Sequence, residues 1–132
     1  MPRILLVDNE PECIKSTGIL LRSKGYEVLE ARGVDDFLIV VNTQLQLIDL
    51  IILDLDLPGM NGAEIIEKFG CCLYENKIPV LMYTSVYNKR EKYHLLDELS
   101  LYGEYAPISF ISKSNPDELL REVAFQLSFK GK

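Results

Sequence analysis

The segment LIILDLDLPGMNG, Leu50 to Gly62, runs four large apolar residues straight into Asp54, then Leu55 and Asp56. An apolar run with no polar alternation marks a strand covered on both faces, as in a parallel sheet. A carboxylate at the end of such a strand is costly unless it is paired or faces a cation. Two of them within three residues call for a chemical use.

The rest of the chain extends the pattern. Short apolar runs alternate with longer amphipathic ones. RILLV (Arg3 to Val7), YEVLEA (Tyr26 to Ala31), LIIL (Leu50 to Leu53), PVLMYT (Pro79 to Thr84) and ISFIS (Ile108 to Ser112) read as five strands. Between and after them, EPECIKSTGILLRSKG, VDDFLIVVNTQ, the segment opening at NGAE, NKREKYHLLDELSLYG and NPDELLREVAFQLSF read as five helices. Gly25 suits the left-handed residue that ends the first helix. Asn61 with Glu64, and Asn115 with Pro116 and Glu118, carry capping-box spacing at two helix starts. Strict alternation of strand and helix, with right-handed crossovers, predicts a three-layer α/β sandwich around a five-stranded parallel sheet. No linker interrupts the 132 residues, so residues 1–132 are expected to form a single domain.

Bulk properties narrow the function classes. A formal charge of −6 disfavours direct contact with nucleic acid, which calls for a basic face. The cysteines are Cys13, Cys71 and Cys72, with no C-x-x-C, and His94 is the one histidine, so a zinc site is not expected. The thiols read as small buried or half-buried residues of a reducing compartment. Neither a signal peptide nor a membrane-length apolar run occurs, and the expected location is cytoplasmic, without a membrane partner.

In open α/β sheets, sites form beyond the carboxyl ends of the strands. Strand 1 ends in Asp8, Asn9 and Glu10, strand 3 in Asp54, and strand 4 in Thr84 and Ser85; Lys113 follows strand 5. Acids, a hydroxyl and an ammonium thus converge from four strands. Clustered carboxylates repel one another and invite a cation, and oxygen ligands select a hard one, Mg²⁺ foremost. A carboxylate can also act as nucleophile towards phosphorus, giving an acyl phosphate.

The four motifs ILLVDNEP, LIILDLDLPGMNG, IPVLMYTS and FISKS, in this order at these strand ends, resemble those of the receiver domains of response regulators in two-component signalling. The resemblance spans essentially the whole chain. It implies the flavodoxin-like strand order 2-1-3-4-5. It implies Asp54 as phosphoacceptor, supplied by a sensor histidine kinase or a phosphotransfer protein. Asp8 and the Asn9 position, with Asp54 and the backbone carbonyl of Asp56, would hold Mg²⁺. Thr84 would hydrogen-bond the phosphoryl group, Lys113 would pair with it, and Phe110 would be the aromatic switch. A homodimer through the face between the fourth and fifth helices is a further implication; the downstream partner is not specified.

Several residues depart from the family pattern. Asn9 stands where a second acid is usual and brings no charge; it reads equally as a cap of the first helix, with Glu12 closing the box. Asp56 reads as a turn residue or as a carboxylate that partly replaces the missing charge. Ser114 replaces the usual proline, where a cis bond would cost about 2.5–4 kcal/mol. Ser85 replaces a smaller residue and narrows the pocket. Thr84 and Lys113 are 113 − 84 = 29 positions apart, more than is usual, with the extra length around ELSLYGEYAPIS. On the last helix, Phe125 and Phe129 lie off the apolar stripe expected from Leu120, Val123, Ala124 and Leu127, and read as a partner surface or as frayed packing.

Two other function classes compete. A pseudo-receiver would bind partners without phosphoryl turnover, a reading that Asn9 and Ser114 favour. The DLD of Asp54 and Asp56 also resembles the D-x-D of haloacid-dehalogenase-type phosphatases, in which the second Asp is a general acid. That family needs a further acidic pair after its lysine. Beyond Lys113 only Asp117, Glu118 and Glu122 remain, all on the last predicted helix.

Overall fold

The computed structural model describes residues 1–54, 57–59, 62–85 and 109–128. Its strands are β1 (Arg3–Val7), β2 (Glu27–Ala31), β3 (Leu50–Leu53), β4 (Val80–Thr84) and β5 (Ser109–Ser112). They pair in parallel, in the order β2-β1-β3-β4-β5. Among the described residues the helices are α1 (Pro11–Ser23), α2 (Val34–Gln44), α3 (Gly62–Glu75) and the C-terminal helix Pro116–Leu127, with a short 3-10 turn at Leu45–Leu47. This is the flavodoxin-like order expected from the resemblance. The fourth predicted helix, and with it the proposed dimer face, the extra length before β5, Asp56, Asn61 and Phe129, lie outside the described residues.

Alternation along each strand sorts side chains into two cores. Leu5, Val7, Ile51, Leu53, Val80 and Met82 face α2 and α3, where Phe37 packs edge-on against Phe69 with ring centroids 5.5 Å apart. Ile4, Leu6, Leu50, Ile52, Leu81 and Ile111 face α1 and the C-terminal helix, through Ile14, Leu21, Leu119 and Val123. β1 and β3 are almost completely buried, which explains why their sequences carry no polar alternation. β2, at the sheet edge, is less buried and carries the charged residues Glu27 and Glu30.

Local chemistry sets the helix ends. Pro11 occupies the first turn of α1, and proline biases the residue before it towards extended backbone. Glu10 therefore becomes the N-cap, with no side-chain cap bond, and Asn9 is not the cap that its residue type suggests. The C-terminal helix starts as expected: the Asn115 side-chain oxygen Oδ1 accepts from the Glu118 N–H at 3.2 Å. The box closes through the Asn115 side-chain amide, which donates to the Glu118 carboxylate at 3.0 Å, because the Asn115 N–H already donates to the Ser112 carbonyl. The buried stripe of this helix is Leu119, Val123 and Leu127, with Leu120 at its edge. Ala124 is exposed: it falls one position round from Val123, beyond the contact with the sheet. Of the thiols, all free, Cys71 is exposed rather than buried, and Cys13 and Cys72 are half-buried. No helix among the described residues is long and apolar enough to cross a membrane.

Candidate functional site

Register brings the polar residues together. Val7 pairs with Leu53, so the next residues, Asp8 and Asp54, leave the sheet side by side. Their backbones still belong to it: the Asp8 N–H donates to the Ala31 carbonyl at 3.0 Å and the Asp54 N–H to the Val7 carbonyl at 2.9 Å. Thr84 pairs with Ser112, and the Lys113 N–H donates to the Thr84 carbonyl at 2.9 Å. A ladder that already orders the core thus fixes the backbone of Asp8, Asp54, Thr84 and Lys113.

The side chains meet at the carboxyl edge of the sheet. Asp8 and Asp54 are each only 2 % exposed. The Lys113 ammonium bridges them, 2.7 Å from Asp8 Oδ2 and 3.2 Å from Asp54 Oδ2. Half-burial by itself lowers a lysine's pKa. Here the hydrogen bond to Asp8 and the fields of Asp54 and Asp8 more than reverse that, and Lys113 is raised above its ordinary 10.5. The other Asp8 oxygen, Oδ1, accepts the Glu10 N–H at 2.9 Å, which fixes the carboxylate from both sides.

Thr84 is buried at the end of β4. It lies on the same face of the sheet as Met82, whose strand partner is Phe110. Phe110 is half-buried and packs against the α2–α3 core. Thr84 and Phe110 are therefore diagonal neighbours across the β4–β5 pair. Asn9 is exposed. Ser85 is exposed too, so its hydroxyl does not crowd the buried carboxylates. Among the described residues no peptide bond is cis, and the Lys113–Ser114 bond is trans.

Three neighbours are assigned no ligand or phosphoryl-binding role from the sequence. Ligand oxygens of Asp8, Glu10 and Asp54 all lie within 4.8 Å of one another. The Cys13 thiol is raised by burial first, then by the neighbouring Asp8 carboxylate. The Tyr83 hydroxyl donates to the Lys113 carbonyl at 3.4 Å, and its phenol is raised mainly by burial. Glu10 stands among the strand-end acids in the sequence, without an assigned role. Cys13 and Tyr83 follow only from three-dimensional placement, one turn into α1 and on the α1 side of β4.

The donor set suits a hard divalent ion. Three carboxylates against one ammonium leave a net charge of −2, and every donor atom is oxygen. A buried nucleophilic carboxylate with a fixed ammonium beside it is also suited to receive an anionic group whose charge needs neutralising.

Comparison with known proteins bears on the family and the fold. The family model described as the response regulator receiver domain matches residues 4–124. The chain is 34% identical over 93 residues to the DNA-binding dual master transcriptional regulator RpaA of Synechocystis, covering 70% of this chain and 37% of that protein. It is 35% identical over 83 residues to the CAI-1 autoinducer sensor kinase/phosphatase CqsS of Vibrio cholerae, covering 62% of this chain and 12% of that protein. The chain thus spans a minor part of the length of these relatives. Among solved structures, it is 29% identical to the response regulator TrrA of Thermotoga maritima in complex with Mg²⁺-BeF, at a TM-score of 0.76, covering 96% of this chain and 100% of that one. A receiver domain of a histidine kinase from Syntrophus aciditrophicus matches at a TM-score of 0.81 and 23% identity, covering 100% and 95%; that likeness is one of fold.

Proposed function

The chain belongs to the response regulator receiver domain family of two-component systems, and from that premise we propose that Asp54 accepts a phosphoryl group in a Mg²⁺-assisted transfer. The donor is the phosphohistidine of a sensor kinase or of a phosphotransfer protein. An Asp54 oxygen forms a bond to phosphorus while the donor's phosphorus–nitrogen bond breaks, and the imidazole leaves and takes up a proton. Water later attacks the acyl phosphate, releasing inorganic phosphate and restoring the carboxylate.

The observation that carries this reading is the Lys113 ammonium held between Asp8 and Asp54. It is a fixed positive charge beside the nucleophile, positioned to pair with an incoming phosphoryl oxygen at little reorganisation cost. Asp8 would hold Mg²⁺ together with Asp54, and Asn9 and the Asp56 carbonyl are further candidate ligands. Mg²⁺, when bound, supplies positive charge to the phosphoryl oxygens. The Thr84 hydroxyl donates to the phosphoryl group. Its diagonal neighbour Phe110 senses the movement and turns inward, which changes the surface offered to a partner. Support for the metal comes from the three-carboxylate cluster and from the Mg²⁺-BeF complex of the TrrA relative.

The test is intact-mass spectrometry after incubation with a small phosphodonor. One phosphoryl adduct is expected with Mg²⁺ present, little after chelation, and none in Asp54→Ala. No adduct in the wild type under any metal condition would overturn the proposal.

A further inference from the structure

We infer that Glu10 supplies to the divalent-ion site the carboxylate that Asn9 lacks. The inference rests on the Mg²⁺-assisted reading above and assigns a residue that reading does not use. An oxygen of the Glu10 carboxylate lies within 4.8 Å of ligand oxygens of both Asp8 and Asp54. Ligands on one octahedral Mg²⁺ sit about 2.1 Å from the ion, so their oxygens are roughly 3–4 Å apart. Small side-chain rotations, or a single ion-bound water, bring the third carboxylate into such a shell.

Nothing else among the described residues occupies the Glu10 carboxylate. Glu10 is the N-cap of α1, yet its side chain makes no cap hydrogen bond. Its backbone does the local work: the N–H donates to Asp8 Oδ1, and the carbonyl accepts from the Ile14 N–H. Pro11 holds Glu10 in extended backbone, at φ −90° and ψ 113°. The carboxylate projects from a fixed point at the mouth of the site, exposed to solvent, while Asp8 and Asp54 lie buried beneath it.

The charge count favours the assignment. Without Glu10, two carboxylates and the Lys113 ammonium leave a net −1, a weak site for a divalent ion. With it the net is −2, which a divalent ion neutralises. The acid is displaced by one position along the chain, from 9 to 10, and remains at the same strand end.

Isothermal titration of Mg²⁺ into the full chain tests this without reference to phosphorylation. Glu10→Gln should weaken Mg²⁺ binding about tenfold, and Asn9→Asp placed in that background should restore it. Thermal unfolding without metal should be the same for Glu10→Gln and the wild type, because the substitution removes no hydrogen bond of the fold. Equal Mg²⁺ affinity in the wild type and Glu10→Gln would overturn the inference and leave the metal-assisted reading standing. Absence of Mg²⁺ binding by the wild type would overturn both.

Discussion

Lys113 is the residue on which the buried charges depend. Its side chain is 11% exposed and touches two carboxylates that are almost wholly buried. Replacing it by methionine keeps most of the volume and removes the ammonium that touches both Asp8 and Asp54. Breaking a buried ion pair from one side costs about 3 kcal/mol or more. Chemical denaturation of Lys113→Met should show a loss of that order, part of which added Mg²⁺ recovers. An unchanged midpoint would mean that the carboxylates are not held as described. The same contacts set a pH dependence. The folded-state pKa lies above the ordinary 10.5, so the stabilisation from Lys113 is complete below pH 10.5 and is lost only as pH rises through the raised value. A side-chain NMR titration should find the Lys113 amine still charged at pH 10.5; half-titration there would contradict the ion-pair geometry.

At the scale of elements, α1 and α3 end in the same way with different residues. After α1, the Gly25 N–H donates to the Arg22 carbonyl and the Tyr26 N–H to the Leu21 carbonyl. After α3, the Lys77 N–H donates to the Tyr74 carbonyl and the Ile78 N–H to the Leu73 carbonyl. Both are Schellman endings, whose turning residue takes positive φ: 90° at Gly25 and 57° at Lys77. Glycine meets no side-chain penalty there, whereas an L-residue bears about 1–2 kcal/mol, offset in part by its lower entropy when unfolded. Gly25→Ala should therefore destabilise the chain by about 1 kcal/mol, and Lys77→Gly should stabilise it by a few tenths to about 1 kcal/mol. Thermal unfolding of the two variants checks both signs; a stabilising Gly25→Ala would contradict the left-handed assignment. Gly25 was legible in the sequence because glycine announces such a turn. Lys77 was not, because lysine carries no such signal.

For the molecule as a whole, what could be read in advance was whatever repeats with a period. The uninterrupted apolar runs of β1, β3 and β4 marked a buried parallel sheet, and helix-period segments between them marked the two outer layers. Asp8, Asp54, Thr84 and Lys113 were legible because strand ends are where such sheets gather polar groups. The strand order was not in the periodicity and came from the family resemblance. Contacts that depend on the exact path of the chain were hidden as well: the shift of the α1 cap from Asn9 to Glu10 by Pro11, the exposure of Ala124, and the approach of Cys13 and Tyr83 to the charged centre. Each is set by how one element sits on the next, which residue type alone does not encode.

The most direct test of the central claim is to locate the phosphoryl group. An acyl phosphate on a carboxylate is reduced by borohydride to an alcohol, turning the modified aspartate into homoserine. After incubation with phosphodonor and Mg²⁺, reduction and proteolysis, peptide sequencing by mass spectrometry should find homoserine at position 54 and at no other acid. Homoserine at Asp8 or elsewhere, with Asp54 intact, would contradict the account.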